Sequence, residues 1–297
     1  MGSGSWSSSS FTSYSTSLCR SVDTTTGKVT GNYDNQDIFK SRKLDKALNP
    51  YKVIRECCDS EEHPNTIPII LGLDVTGSMG DAAVEVAKDL NVVMTELYKD
   101  LTDVEFMIMG IGDLYCDNSP CQASQFESDI RIAEQLDKVY FEFGGGGNEY
   151  ESYSLAWYFG LNNTKLDCWN RGKKGIIITI GDETLNPYLP KNALNNVLGC
   201  TKETDVSTKE LYEDANKKFD IYHIHVDHSH CSYYSFEKCG PTFAKVIGED
   251  HIFKANLDNV TEVITSIIKN AAKDNNTFNV TSNNAQTKKD ENGDIVW

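Results

Sequence analysis

A chain of 297 residues, 39% of them hydrophobic, is long enough for one domain of about 200 residues with tails and holds enough apolar side chains for a real core. Its formal net charge of −16 excludes an extended phosphate-binding surface, so nucleic acid is not an expected partner. No apolar run approaches the roughly 20 residues that span a bilayer, which excludes a membrane, and the odd set of nine scattered cysteines without a secretory signal reads as reduced thiols in a cytoplasm.

In chain order, residues 1–35 begin with a stretch in which nine of the first seventeen residues are Ser, a composition that predicts a disordered arm. Residues 36–63 read as a leader packed on the main domain, with short helices over 43–48 and 51–57 separated by Pro50. From 64 to 272, short aliphatic runs alternate with amphipathic stretches. That pattern predicts an α/β fold with a doubly wound, mostly parallel central sheet and helices on both faces. The strands fall at Ile67–Asp74, Val104–Ile111, Gly175–Gly181, Phe219–Val226 and 251–254, nearly continuous in apolar residues because both sheet faces would be covered. Helices over 82–97 and 260–271 place Val86, Leu90, Val93 and Leu97, and Val263, Ile264, Ile267 and Ile268, at core-facing spacing, with Asp258 or Asn259 available to cap the second. Residues 273–297, rich in Asn, Lys and Asp, read as a flexible tail.

In an open parallel sheet the crevice for ligands lies beyond the carboxyl ends of the strands, and three segments bring oxygen donors there. The first strand runs straight into Asp74-Val75-Thr76-Gly77-Ser78, one carboxylate and two hydroxyls at alternate positions that suit a hard cation such as Mg²⁺. The bland alternative is that Asp74 and Ser78 only cap the next helix. A later strand ends in Gly181-Asp182-Glu183. Between them, the glycines at 144–147 precede Asn148, Glu149, Glu151 and Ser152, any of which can add an oxygen, and Asp113 ends the second strand, where it can orient a loop or reach the metal.

These motifs resemble the von Willebrand factor A domain family, intracellular bacterial or phage type, over residues 64–272. The family's metal-ion-dependent adhesion site is written Asp-x-Ser-x-Ser, then a Thr, then an Asp. Asp74, Thr76 and Ser78 match its first element, with Thr in place of the middle Ser, and Asp182 matches the last. No Thr occupies the glycine-rich loop, where Asn148 is the substitute; Gly145 to Glu151 is similar to the Gly-Gly-Gly-Asp-x-Pro-Glu variant of intracellular members. The resemblance implies metal ligands Asp74, Thr76, Ser78, Asn148 and Asp182, with Mg²⁺ (or Mn²⁺ or Ca²⁺) as cofactor. It also implies a non-enzymatic protein-interaction module in which the ion holds an Asp or Glu of a partner protein, and a MoxR-type AAA+ ATPase as one such partner.

Three other readings stay open. His223, His225, His228, His230 and Cys231 are zinc-ligating types on a strand end and loop, although no Cys-x-x-Cys companion exists. A metal-dependent hydrolase would use Glu149, Glu151 or Glu183 as base; no nucleotide-cradling glycine motif is present. A structural or assembly protein would act through the N-terminal arm.

Overall fold

Four of the expected strands form residue for residue, because each is dominated by Ile, Val, Leu, Phe or Met side chains that a doubly covered sheet buries. In the computed structural model, which describes residues 4–142, 148, 150–227 and 234–283, the longer helices and main-sheet strands are α1 (Ser8–Ser17), β1 (Ile67–Asp74), α2 (Gly80–Leu97), β2 (Val104–Ile111), β3 (Cys121–Ala123), α3 (Ser154–Asn162), β4 (Gly175–Gly181), α4 (Lys191–Leu198), α5 (Thr208–Ala215), β5 (Phe219–Val226), α6 (Phe236–Ile247), β6 (Ile252–Ala255) and α7 (Val260–Asn283). The sheet order is β3-β2-β1-β4-β5-β6. All neighbours are parallel except β3, which runs antiparallel to β2.

Period-two alternation divides the core into two layers. Ile69, Leu71 and Leu73 of β1, with Ile176, Ile178 and Ile180 of β4, face α2 and α7, whereas Ile70 and Ile177 face α3, α5 and α6 around Trp157, Phe219 and Phe243. The chain winds outward from β1 through β2 to β3, then returns to the other side of β1 with β4 and continues to β6. The winding direction thus reverses between β1 and β4, and the crevice that ligands occupy in such folds opens at the carboxyl ends of those two strands.

The serine-rich segment departs from the disorder expected of it. Ser7 caps α1 by accepting a hydrogen bond from the Ser10 N–H, Phe11 is buried in the α2 layer beside Trp6, and the Trp6 indole donates to Asn91 Oδ1 at 3.0 Å. Arg20 and the Tyr14 hydroxyl both hold Asp137, at 2.9 and 2.8 Å. Average composition hid three well-spaced aromatics whose burial offsets the entropy of ordering the serines.

The leader also differs from its expected helices. It contains a capped turn at Asn35–Ile38, a 3₁₀ turn at Lys46–Leu48, and a strand, Arg55–Cys57, that pairs in parallel with Thr164–Leu166. At the other end α7 runs on to Asn283, since no Pro or Gly interrupts 272–283; residues 284–297 of the expected tail lie outside the described residues. Its approach is fixed by Asn256 and Asn259, each side chain accepting from the other's N–H at 3.1 and 2.8 Å. Among the described residues no helix is long and apolar enough to cross a membrane.

Candidate functional site

At the end of β1 the backbone turns sharply into α2 through extended Thr76 and a 3₁₀ turn at Gly77–Met79. The Thr76 N–H and hydroxyl both donate to Asp74 Oδ1, at 2.9 and 2.6 Å, and Ser78 Oγ lies 3.4 Å from Thr76 Oγ1. Asp74, Thr76 and Ser78 are thus gathered on one side of the turn, as their alternate spacing predicts. The start of α2 has no side-chain cap, so the bland role for Asp74 and Ser78 is not the one they take. Asp74 is fully buried, Thr76 nearly so, and Ser78 is exposed, so the group opens to solvent at Ser78.

Asp182 joins them from β4. Leu73 pairs with Ile180, which places Asp74 and Asp182 at adjacent strand ends, both without solvent exposure. Burial, and next the charge of Asp182, push the Asp74 carboxyl up to about 7. Burial followed by Asp74 and Asp182 pushes Glu183 up to about 8. Glu151, buried and facing Asp74 and Glu183, is driven well above the carboxylate range. The principal charged neighbours of all three are other carboxylates.

The residue that ties this group together is Tyr153, which the sequence reading did not single out. Its hydroxyl donates to Asp74 Oδ2 at 2.7 Å and accepts the Glu183 N–H at 3.2 Å, bridging the turns after β1 and β4. Its ring, fully buried, packs against His223 and Phe243 and lies directly over Gly181: a Cβ there would sit 2.0 Å from the phenol oxygen. The one available signal was Gly181 itself, a glycine at a strand end next to an acid, where something must approach the backbone closely.

Asn148 lies beside Asp113. Its amide donates to Asp113 Oδ2 at 2.7 Å, and Asp113 Oδ1 accepts the Tyr115 N–H at 3.0 Å. Both serve to orient loops beside the Asp74 group. The oxygen that the glycine-rich loop brings towards Asp74 belongs to Glu151, because Tyr150 and Glu151 pair in parallel with Thr184 and Leu185 of the loop after β4. Glu151 Oε2 is buried and has no hydrogen-bond partner among the described residues. Glu149 lies outside the described residues, and Ser152 Oγ accepts the Leu114 N–H at 3.0 Å.

The histidines form no comparable group. Among the described residues no cluster of three or more His, Cys, Asp or Glu side chains is arranged to enclose a metal, and this holds for the carboxyls around Asp74 as well as for the histidines. His223 stacks on Phe243 at 3.6 Å between ring centres, with Nδ1 2.9 Å from the Thr179 hydroxyl, and burial holds it well below its ordinary pKa, hence neutral. His225 Nε2 is 2.9 Å from the Tyr234 carbonyl. His228, His230 and Cys231 lie outside the described residues.

The donors at this end of the sheet are all oxygens, the type a hard divalent cation takes.

No protein-family model matches the chain, and no curated protein matches its sequence. Among solved structures, the pilus adhesin SpaC from Lactobacillus rhamnosus GG matches with a TM-score of 0.51 and 14% identity over 73% of this chain and 32% of its own. The vWF domain of the type V pili tip protein Mfa5 from Porphyromonas gingivalis gives a TM-score of 0.43 and 12% identity, covering 69% of this chain and 95% of that domain. Proximal thread matrix protein 1 of the mussel byssus gives 0.42 and 12%, over 75% and 47%. The chain spans about a third of the length of the pilus adhesin, and at these identities the likeness is one of fold. The fold is the doubly wound, Rossmann-like α/β arrangement expected from the von Willebrand factor A resemblance.

Proposed function

We propose that this domain is a non-enzymatic protein-interaction module. In this reading Asp74, Thr76, Ser78 and Asp182 hold a divalent cation, Mg²⁺ or in its place Mn²⁺ or Ca²⁺, with Asn148 of the third segment close by at Asp113. The observation that carries it is the convergence of these oxygens at the point where the sheet's winding reverses, in a buried group whose principal charged neighbours are carboxylates. A bound ion supplies residual positive charge and an open coordination position, and an Asp or Glu from a partner protein fills it. Thr76 and Tyr153 orient Asp74 for that purpose, and the exposed Ser78 edge is the side from which the partner enters.

The test is affinity capture by the immobilised chain from an extract of the cells that produce it, in Mg²⁺ and then in EDTA. A protein retained in Mg²⁺, released by EDTA and absent from the Asp74→Ala eluate is the expected result; an AAA+ ATPase, the partner class the resemblance implies, is one candidate. A partner held equally by both proteins in EDTA would rule the reading out.

A further inference from the structure

Three tyrosines from three different loops meet beside the Asp74 group. Tyr115 follows Asp113 after β2, Tyr150 precedes Glu151 and Tyr188 lies beyond Asp182 after β4. Tyr115 meets the rings of Tyr150 and Tyr188 edge to face, at 6.3 and 6.2 Å between centres, and its hydroxyl donates to the Tyr188 hydroxyl. Tyr115 is 48% exposed and Tyr188 37%, two of the four large hydrophobic side chains exposed among the described residues. Single exposed tyrosines are ordinary. Aromatics fixed in mutual contact by separate loops, at the rim of a candidate binding group, have the character of an interface anchor.

Carboxylates lie close by. Asp113 lies beside Tyr150, with Asp117 and Glu142 behind it: the Asp113 N–H donates to Asp117 Oδ2 at 2.7 Å, and Glu142 accepts the N–H groups of Asn118 and Ser119. The whole chain carries −16. Tyrosine faces in an acidic surround attract cations, guanidinium groups above all.

We propose that Tyr115, Tyr150 and Tyr188 form a docking lip for a partner segment that carries Arg or Lys close to the carboxylate taken by the metal. The proposal rests on the metal-dependent reading above and deepens it: the acid of the partner is seated at Asp74 and Asp182, and a neighbouring basic side chain lies over the tyrosine rings among the carboxylates. Such a partner is selected by a paired acidic and basic motif and discriminated from segments that are acidic throughout.

The experiment pans a random peptide library, displayed on phage, on the full chain in Mg²⁺. The enriched sequences are expected to pair Asp or Glu with Arg or Lys a few residues away. A synthetic peptide of the most enriched sequence should lose affinity roughly tenfold towards a Tyr115→Ala/Tyr188→Ala variant. It should lose as much when its basic residue is replaced by Ala, while the variant binds Mg²⁺ as the parent does. Peptides that carry only acids, elute in EDTA and bind the tyrosine variant equally would overturn the lip and leave the metal reading standing; absence of Mg²⁺ binding by the parent chain would remove the metal reading itself. Failure to retain any peptide, or retention of neutral oligosaccharides that the tyrosine variant loses, would equally overturn the proposal.

Discussion

Gly181→Ala is expected to destabilise the domain by about 2–6 kcal/mol and to weaken divalent-ion binding in the molecules that stay folded. The added Cβ would lie 2.0 Å from the Tyr153 hydroxyl and 2.4 Å from two ring carbons. Elsewhere the far end of a side chain would swing aside, but this ring is enclosed by His223 and Phe243, and its hydroxyl holds Asp74 and the Glu183 N–H. Relief of the clash therefore unmakes two buried hydrogen bonds, and the estimate sums overpacking of about 1–3 kcal/mol with unsatisfied polar groups of about 1–3 kcal/mol. Tyr153→Phe is the companion, since it removes the hydroxyl and adds no atom: it should lower ion affinity with a smaller loss of stability. Chemical denaturation and Mg²⁺ titration of both variants check the pair. An unchanged midpoint for Gly181→Ala would show that Tyr153 does not hold the two turns together.

The second large effect is on pH dependence. Asp74 and Glu183 are raised from 3.8 and 4.5 to about 7 and about 8, and Glu151 further. A carboxyl whose folded pKa is raised binds its proton more tightly in the folded state. Its contribution is therefore full in acid and falls as pH climbs from about 4 through about 7 to 8, where the unfolded chain gives up the proton without cost and the folded group ionises against burial. A cation binds the ionised forms and so competes with those protons; its affinity should drop by about tenfold per pH unit for each proton displaced below the folded pKa. Mg²⁺ should accordingly raise the melting temperature much more at pH 8 than at pH 5. The increment produced by Mg²⁺ is the right quantity because acids such as Asp59 and Asp100, held below their ordinary range by hydrogen bonds and ion pairs, weaken the fold in acid regardless of the ion. Equal increments at the two pH values would contradict the assignment of these carboxyls to the ion.

The central sheet was legible because Ile67–Asp74, Val104–Ile111, Gly175–Gly181 and Phe219–Val226 are long, aliphatic and followed by turn residues. β3 was not, since three residues on a sheet edge carry no period. The Ser8–Ser17 helix escaped because its stability comes from Phe11 and its neighbours against α2, a tertiary effect that composition averages away. The same divide runs through the site. Asp74, Thr76 and Ser78 are a local motif, readable from spacing in one turn. Tyr153 and Glu151 reach the group only through the two-residue pairing of 150–151 with 184–185 and the close packing over Gly181, neither of which leaves a pattern in the sequence. That Asn148 meets Asp113 while Glu151, three residues on, lies near Asp74 follows from the same unreadable register.

The most direct measurement is isothermal titration of Mg²⁺, with Mn²⁺ alongside, into the full chain and into Asp74→Ala, both verified as folded by circular dichroism. Saturable binding of one ion by the parent chain, lost or weakened by about a hundredfold in the variant (about 2.7 kcal/mol), is the predicted result. No binding of either ion by the parent chain, or the same affinity in the variant, would contradict the claim that Asp74 and its neighbouring oxygens form a cation site.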